Sequence, residues 1–177
     1  MTIGICDDAT GHAAMGRFQA IDPPCRRVHA HVVTEAEAVE AIQEWWESGW
    51  ESLHPSDPND PQHIPYAYEA EDFGAVAAFA TVTIVNTVRQ QTTSGPVGSR
   101  RFEQRGYIAV QLFTGKGEGV FDIVSLADDV RAVFEGKALV VGDQEIALFE
   151  GASGGTTTDA RWSMKLVTIP FWYQAIA

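Results

Sequence analysis

The sequence is poor in basic residues and has no long apolar run. Only 12 Lys and Arg oppose 24 Asp and Glu, so the formal net charge is −12. A general DNA or RNA binder needs a basic face, and this composition argues against one. No segment approaches the ~18 apolar residues of a membrane-spanning helix. The first residues carry acids where a signal peptide needs bases, so we expect a soluble chain made in the cytoplasm, with no membrane partner.

Cysteine is also scarce. Cys6 and Cys25 are the only two, and a disulfide between them would close a short terminal loop, so a reduced state is the simpler interpretation. They lie among His12, His29 and His31 with the spacings C-x5-H and C-x3-H. Thiolates and imidazoles are the usual zinc ligands, but these spacings match no common zinc finger. We therefore expect no metal.

Catalytic patterns are missing as well. There is no G-x-S-x-G and no H-E-x-x-H, and the acid pairs Asp7-Asp8, Glu71-Asp72 and Asp128-Asp129 are adjacent in sequence. Adjacent side chains on a helix or strand point in different directions, which makes poor acid–base pairs. We expect no enzymatic activity and no cofactor.

A glycine-rich stretch, "GKGEG" at residues 115–119, separates a strand-like run from a helix-like run. A phosphate-binding loop needs G-x-x-x-x-G-K-[ST], but Lys116 follows the first glycine with no Ser or Thr after it. Glu118 would repel a phosphate. The stretch is therefore interpreted as a tight turn that uses the positive φ available to glycine.

The first regular element is predicted after an irregular N-terminal arm, residues 1–33. A short strand at 27–33 that covers a sheet edge is an equally good interpretation of the end of this arm. Thr34 with Glu37 forms a capping-box pattern, and a helix follows that we expect to end near Gly49. Its apolar stripe consists of Val39, Ile42, Trp46 and Trp50.

The rest of the chain, residues 34–177, is interpreted as one α+β domain: a mixed, mostly antiparallel sheet with two main helices packed on it. A proline-rich loop leads to a short strand near "IPYAYEAEDF" and then to two long strands joined by "TTSGPVGS", an antiparallel hairpin. The second helix has the predicted apolar stripe Val120, Ile123, Val124, Ala127, Val130, Val133 and Phe134, with Gly136 as its C-cap. Three further strands follow, and Pro170 in the last indicates a bulge or an edge position.

This order resembles the tail terminator proteins of long, non-contractile-tailed phages of the lambda type and their prophage relatives. The resemblance rests on "EAVEAIQEWWESGW", "AFATVTIVNT", "RGYIAVQLFTGKGEG", "VSLADDVRAVFEGKAL" and "VTIPFWYQ", and covers roughly 140 of the 177 residues. The arm at 1–33 departs from that pattern.

The resemblance implies a structural virion protein at the head–tail junction. Such a protein forms a homo-hexameric ring that caps the head-proximal end of the tail tube and stops its polymerisation. Its partners are the tail tube protein, the head-completion or neck protein and possibly the tape-measure protein, while DNA only passes through the lumen. Two alternatives stay open: another head–tail joining or tail-tube subunit, and a soluble small-molecule-binding domain.

The hairpin tip is a basic region of this acidic chain. Arg89, Arg100, Arg101 and Arg105 lie there, four of the chain's 12 basic residues. One interpretation is a solvated loop. The other is an assembly interface in which these arginines meet acids on a neighbouring subunit, because the planar guanidinium pairs carboxylates bidentately. Replacing Arg100 and Arg101 by Ala is then expected to spare the fold and weaken assembly.

Overall fold

A computed structural model describes residues 33–68, 76–96, 100–116 and 120–176. Two helices and an eight-stranded sheet make up this part of the chain, which confirms the α+β class. In chain order the elements are α1 (Glu35–Leu53), β1 (Tyr66–Ala67), β2 (Ala78–Gln91), β3 (Arg101–Gly115), α2 (Val120–Phe134), β4 (Ala138–Val141), β5 (Gln144–Leu148), β6 (Ala152–Ser153), β7 (Thr157–Thr158) and β8 (Trp162–Ile176).

Helix α1 begins as the sequence predicts. The Thr34 backbone N–H donates to the Glu37 carboxylate at 2.8 Å, and the Glu37 N–H donates to the Thr34 hydroxyl, which completes the capping box. The predicted end at Gly49 is wrong, because the helix continues to Leu53. A Cβ on Gly49 would lie 2.7 Å from the Val133 side chain. Glycine is there for the close approach of α1 to α2, and it does not stop the helix.

Helix α2 ends as expected but faces the core differently. Gly136 has φ +66°, which only glycine adopts cheaply, so the predicted C-cap position is confirmed. The predicted apolar stripe is wrong at Val124, whose side chain is 39% exposed, whereas Leu126 is buried. The buried face of α2 is centred on Ala127 and Val130, so Val124 lies at the solvent-exposed edge of that face.

The sheet has the strand order β1-β2-β3-β8-β5-β4, with β6 and β7 paired to β8. β2 and β3 form the predicted hairpin, with a register shift between Asn86 and Val88. Only β1 and β2 pair in parallel; the other pairs are antiparallel. Five strands follow α2 where three were predicted, since β6 and β7 have two residues each and leave no period to read.

Pro170 lies in neither of the predicted settings. β8 is flanked on both sides, by β3 and by β5–β7, and its register with β3 is unbroken through Pro170. The Pro170 carbonyl accepts from the Phe149 N–H at 3.0 Å, at the gap between β5 and β6. Because the N and O of one residue face the same neighbour in an antiparallel ladder, the missing N–H also faces that gap, where no ladder bond is lost.

The core lies between the helices and one face of the sheet. Trp46 stacks on Trp50 at 4.6 Å between ring centroids and on Phe134 at 5.6 Å. Alternate residues of β3 and β8 complete the same cluster: Ile108, Val110, Leu112, Val167, Ile169, Phe171 and Tyr173. Val33, assigned to the arm from the sequence, is 1% exposed and joins this core. Both helices therefore pack on a single face.

Candidate assembly surfaces

The face of the sheet opposite α1 and α2 is the first candidate; we call it the distal face. Side chains alternate between the two faces of a strand, so the residues between the core positions of β3 and β8 point here. They include large apolar side chains that are only partly buried: Tyr107, Phe113, Trp162, Met164, Leu166 and Trp172. Leu166 is 43% exposed. Among the described residues, these apolar side chains of the distal face are therefore only partly covered.

Aromatic rings gather at one end of the distal face. Phe79 on β2 stacks on its cross-strand partner Phe113, with centroids 4.4 Å apart and planes 8° apart. Trp162 at the start of β8 meets Phe79 edge-on at 5.1 Å. Such pairs stabilise beyond the area that they bury, so they strengthen the packing at this end of the sheet.

A cleft lies towards the other end. Its volume is about 560 Å³, and its walls include Arg105, Phe149, Pro170 and Trp172. Phe149 is 50% exposed. Gly106 forms the floor: a Cβ there would lie 2.3 Å from the Val85 carbonyl oxygen and 2.4 Å from the Phe171 ring.

The four arginines of the predicted interface lie on the hairpin but do not form one patch. Arg89 is on the helix side of the sheet and Arg101 and Arg105 are on the distal side, as the β2–β3 and β3–β8 registers require, whereas Arg100 precedes β3. Two of them already have a partner within the hairpin. The Arg105 Nε donates to Glu103 at 2.6 Å, and the Arg100 Nε donates to the Gly95 carbonyl at 2.9 Å.

The other two arginines are exposed to solvent. The Arg89 guanidinium carbon lies 4.7 Å from the centroid of the Phe102 ring, a cation–π contact. The side chain of Arg101 is exposed where β3 begins. We call β2 and β3 from Asn86 to Gln91 and from Arg101 to Arg105 the hairpin end.

A groove between α1 and the edge strand β4 is the third candidate; we call it the α1–β4 groove. It is lined by Glu44, Trp45, Leu139 and Val140 and has a volume of about 440 Å³. Trp45 is 40% exposed although its indole N–H donates to the Val133 carbonyl, and Val140 is 74% exposed. Trp45 falls outside the predicted stripe of α1, which is why it faces outward.

Two strand edges have no partner among the described residues. On β2, β1 pairs only with Ala80 and Thr81, so the same edge is unpaired from Val82 to Gln91. At the opposite end of the sheet, β4 pairs with β5 alone. Unpaired edges are templates for association with another chain.

A polar cavity of about 470 Å³ lies between the proline-rich loop and the start of α2. The His54 Nε2 and an Asp129 carboxylate oxygen are 3.2 Å apart on its wall. The Thr114 hydroxyl also lines it; the residue is 2% exposed and the hydroxyl has no hydrogen-bond partner among the described residues. Hydrogen bonds from the backbone and side chain of Asn59 lower the pKa of Asp57, which caps a turn of this loop.

Other positions singled out in the sequence are only partly visible. Gly115 ends β3 and Lys116 lies in a turn, while residues 117–119 are outside the described residues, as are Cys6, His12, Cys25, His29 and His31. Within the described ranges no three His, Cys, Asp or Glu side chains are grouped as metal ligands. No helix in those ranges is both long and apolar enough to cross a membrane.

Comparison with known proteins adds information on the fold only. No protein-family model matches the sequence, and no curated protein matches it. One solved structure, whose name states no function, superposes with a TM-score of 0.52 and 15% identity over 76% of this chain and 95% of that chain. At this identity the similarity establishes a shared fold.

Sequence reasoning missed the cleft and the α1–β4 groove. The cleft depends on the register that sets Arg105 beside Trp172, which no local pattern encodes. The groove had a signal in the sequence, because Trp45 is a tryptophan one residue off an apolar stripe that ends on Trp46 and Trp50. A large aromatic residue on a polar helix face marks a contact surface.

Proposed function

We propose that this chain is a structural virion protein: the tail terminator that forms a ring of six at the head–tail junction. In that role it caps the head-proximal end of the tail tube, stops its polymerisation and joins the tail to the neck. The proposal starts from the sequence resemblance over residues 34–173. It assigns the chain no enzymatic activity and no cofactor.

The observation that carries the proposal is the distal face. Aromatic and aliphatic side chains of β2, β3 and β8 stay partly exposed there, although the chain is strongly acidic. Large apolar side chains left exposed in this way mark a contact site in proteins that stay soluble. An assembly that stacks on a tube and a neck offers such contacts, and a solitary subunit does not.

The two unpaired edges support a ring. They lie at opposite ends of the sheet and differ in sequence, so a contact between them is heterologous, that is, head-to-tail. Heterologous contacts either close into rings or extend as filaments. A terminator requires closure, because an open filament would not stop the growth of a tube.

Electron microscopy of purified protein and of assembled tails tests the proposal. We expect closed rings with sixfold symmetry, alone or at the head-proximal end of the tube, and headless or overlong tails when the gene is deleted. Twelvefold rings, or subunits that stack along the tube, would assign the chain to a different head–tail joining or tail-tube part.

One observation favours a second candidate, a small-molecule-binding domain. The cavity bounded by His54, Asp129 and Thr114 contains a buried hydroxyl with no partner among the described residues, and ligands satisfy such groups. A thermal-shift screen of the monomer tests it. A ligand that raises the melting temperature of the wild type but not of Thr114→Val would favour this candidate.

A further inference from the structure

We propose that the α1–β4 groove of one subunit receives the hairpin end of the next subunit, with β2 of one chain paired to β4 of the other. This inference rests on the proposed ring and names the two surfaces that would close it. Three properties of the two surfaces match: backbone hydrogen bonding, apolar contact and charge.

The backbone match comes from the two edges. β2 is unpaired from Val82 to Gln91 among the described residues, and β4 has one described neighbour, β5. β4 spans four residues, Ala138–Val141, and the unpaired run of β2 is longer, so all of β4 can pair. Strand addition at an edge satisfies a row of backbone groups that are otherwise left to water.

The apolar match involves exposed side chains on both surfaces. On the hairpin end Val88 is 47% exposed, and on the groove Val140 is 74% exposed. Both point to the distal side, Val88 as the register partner of Arg105 and Val140 as that of Glu145. Pairing β2 with β4 sets them on the same face of one continuous sheet, where cross-strand β-branched pairs are favourable.

The charge match lies on the helix side. α1 has six Glu and no Lys or Arg, and Glu40, Glu44, Glu47 and Glu51 follow one exposed face at helical spacing. Glu44 lines the groove itself. On the hairpin end, the exposed Arg89 projects from the edge strand towards the same side of the sheet. No ion pair between described residues involves Glu44 or Arg89, and the cation–π contact of Arg89 with Phe102 leaves its charge without a carboxylate partner there.

The two surfaces cannot meet within one chain, because they border opposite ends of the strand order β1-β2-β3-β8-β5-β4. Each subunit therefore offers one of each. One neighbouring copy complements the first surface and another copy complements the second, and the chain of contacts continues until it closes.

A charge swap in the full-length protein tests the inference, with ring assembly measured by native mass spectrometry and the fold by melting temperature. Arg89→Glu and Glu44→Lys should each weaken assembly by about tenfold or more, since each sets like charges against one another. Combined in one chain, the two changes should restore assembly. High salt should weaken the wild-type ring and blunt both single effects.

Arg161→Glu is the matched control. It makes the same charge change at an exposed arginine just before β8, at the end of the sheet away from the hairpin end, and should leave assembly unchanged. If Arg89→Glu and Glu44→Lys assemble like wild type, or if the combined variant is no better than either one, the inference is wrong while the ring itself stands. If the wild type forms no ring alone or on tails, the proposed function fails first.

Cross-linking gives a second measurement that does not need stable rings. With Cys6 and Cys25 changed to Ser, a chain carrying Val88→Cys and Val140→Cys should oxidise to a ladder of linked subunits that stops at six. Either cysteine alone should give at most dimers. A double-cysteine chain that remains monomeric under oxidation on assembled tails would overturn the proposed pairing.

Discussion

The two faces of the sheet are made by the same strands, but their side chains are buried to different extents. On the helix side, alternate residues of β3 and β8 are almost fully buried, as with Leu112 and Ile169 at 0% exposure. On the distal side, the residues between them include Leu166 at 43%. Both faces carry large apolar side chains, but the two helices cover only the first. The helix side therefore supplies the buried packing that stabilises the fold, whereas the distal side leaves apolar side chains partly exposed.

The two ends of the sheet differ in the same way. At the β7 end, Asp159 accepts from the backbone N–H groups of Trp162 and Arg161, which lowers the pKa of its carboxyl and fixes the turn into β8. At the hairpin end, Arg89 and Arg101 are exposed, and the outer edge of β2 is partly unpaired among the described residues. One end is closed by its own chain, and the other leaves charged side chains and backbone groups exposed.

Truncating a matched pair of leucines should separate the two faces most clearly. Leu112→Ala removes a fully buried side chain and should lower the free energy of unfolding by about 2–5 kcal/mol. Leu166→Ala should lower the free energy of unfolding of the monomer by about 1 kcal/mol or less, because Leu166 is already 43% exposed. Urea denaturation of both variants measures this.

The effect on assembly, relative to the effect on the fold, should be larger for Leu166→Ala than for Leu112→Ala. Leu166→Ala is expected to weaken ring or tail formation although the monomer is intact. A Leu166→Ala variant that is as unstable as Leu112→Ala would mean that the distal face is already part of the core, and the comparison of the two faces would fail.

Gly106→Ala should be the next largest effect. An added methyl would meet the Val85 carbonyl oxygen at 2.3 Å and the Phe171 ring at 2.4 Å, so backbone or core must shift. We expect a loss of about 1–3 kcal/mol in unfolding free energy, the usual cost of overpacking. Gly154→Ala is the control, since its Cβ would have 3.9 Å to the nearest atom. Equal melting temperatures for the two variants would show that the hairpin accommodates the added methyl group at little cost, against this prediction.

Gly106 and Gly49 also show why parts of the fold could not be predicted from the sequence. Alternation in "YIAVQLF" and the Thr34–Glu37 capping box are local, and both were predicted correctly. The role of a glycine is not local. Gly49 has the pattern of a helix stop, but a glycine is required there because Val133 of another helix leaves no room for a Cβ. The same holds for Val124, since the rotation of α2 is set by what it packs on.

The partial exposure of the distal face could not be predicted from the sequence for a different reason. Period-2 alternation reveals a strand when one face is polar, but here apolar residues stand at successive positions, as in Ile169, Pro170, Phe171 and Trp172. Such a run predicts a strand and leaves open which face is covered. Only the placement of α1 and α2 on one side decides it. The arginines of the hairpin were found from composition alone, and their division between the two sides needed the register.

Tyrosines on the helix side allow a test by pH. Burial raises the pKa of Tyr173 to about 12 and, with Glu47 and Glu51 nearby, that of Tyr66 to about 12; burial also raises the pKa of Tyr68. Because their folded-state pKa exceeds the unfolded value near 10, Tyr173 and Tyr66 stabilise the fold fully below pH 10 and lose that contribution between pH 10 and about 12. Absorbance at 295 nm should show delayed titration that Tyr173→Phe reduces. Titration of all four tyrosines together near pH 10 in folded protein would contradict it.

The smallest expected effect on the monomer concerns the two neighbouring arginines at the start of β3, Arg100 and Arg101. Arg100 is half-buried and its Nε donates to the Gly95 carbonyl, so Arg100→Ala should remove about 1 kcal/mol and lower the melting temperature by about 2–4 °C. Arg101 is exposed, so Arg101→Ala should leave the melting temperature unchanged.

The pair thus refines the expectation that both arginines can be removed without cost to the fold. If the hairpin end is an assembly surface, the double variant should still fold, and tails of abnormal length or headless tails should accumulate. Arg101→Ala alone then shows how much of that defect belongs to the Arg101 contact and how much to the Arg100–Gly95 hydrogen bond, because it leaves that bond intact. Normal tails and full infectivity from the double variant would make these two arginines ordinary solvated surface, and the association assigned to the hairpin end would rest on Arg89 and the strand edge.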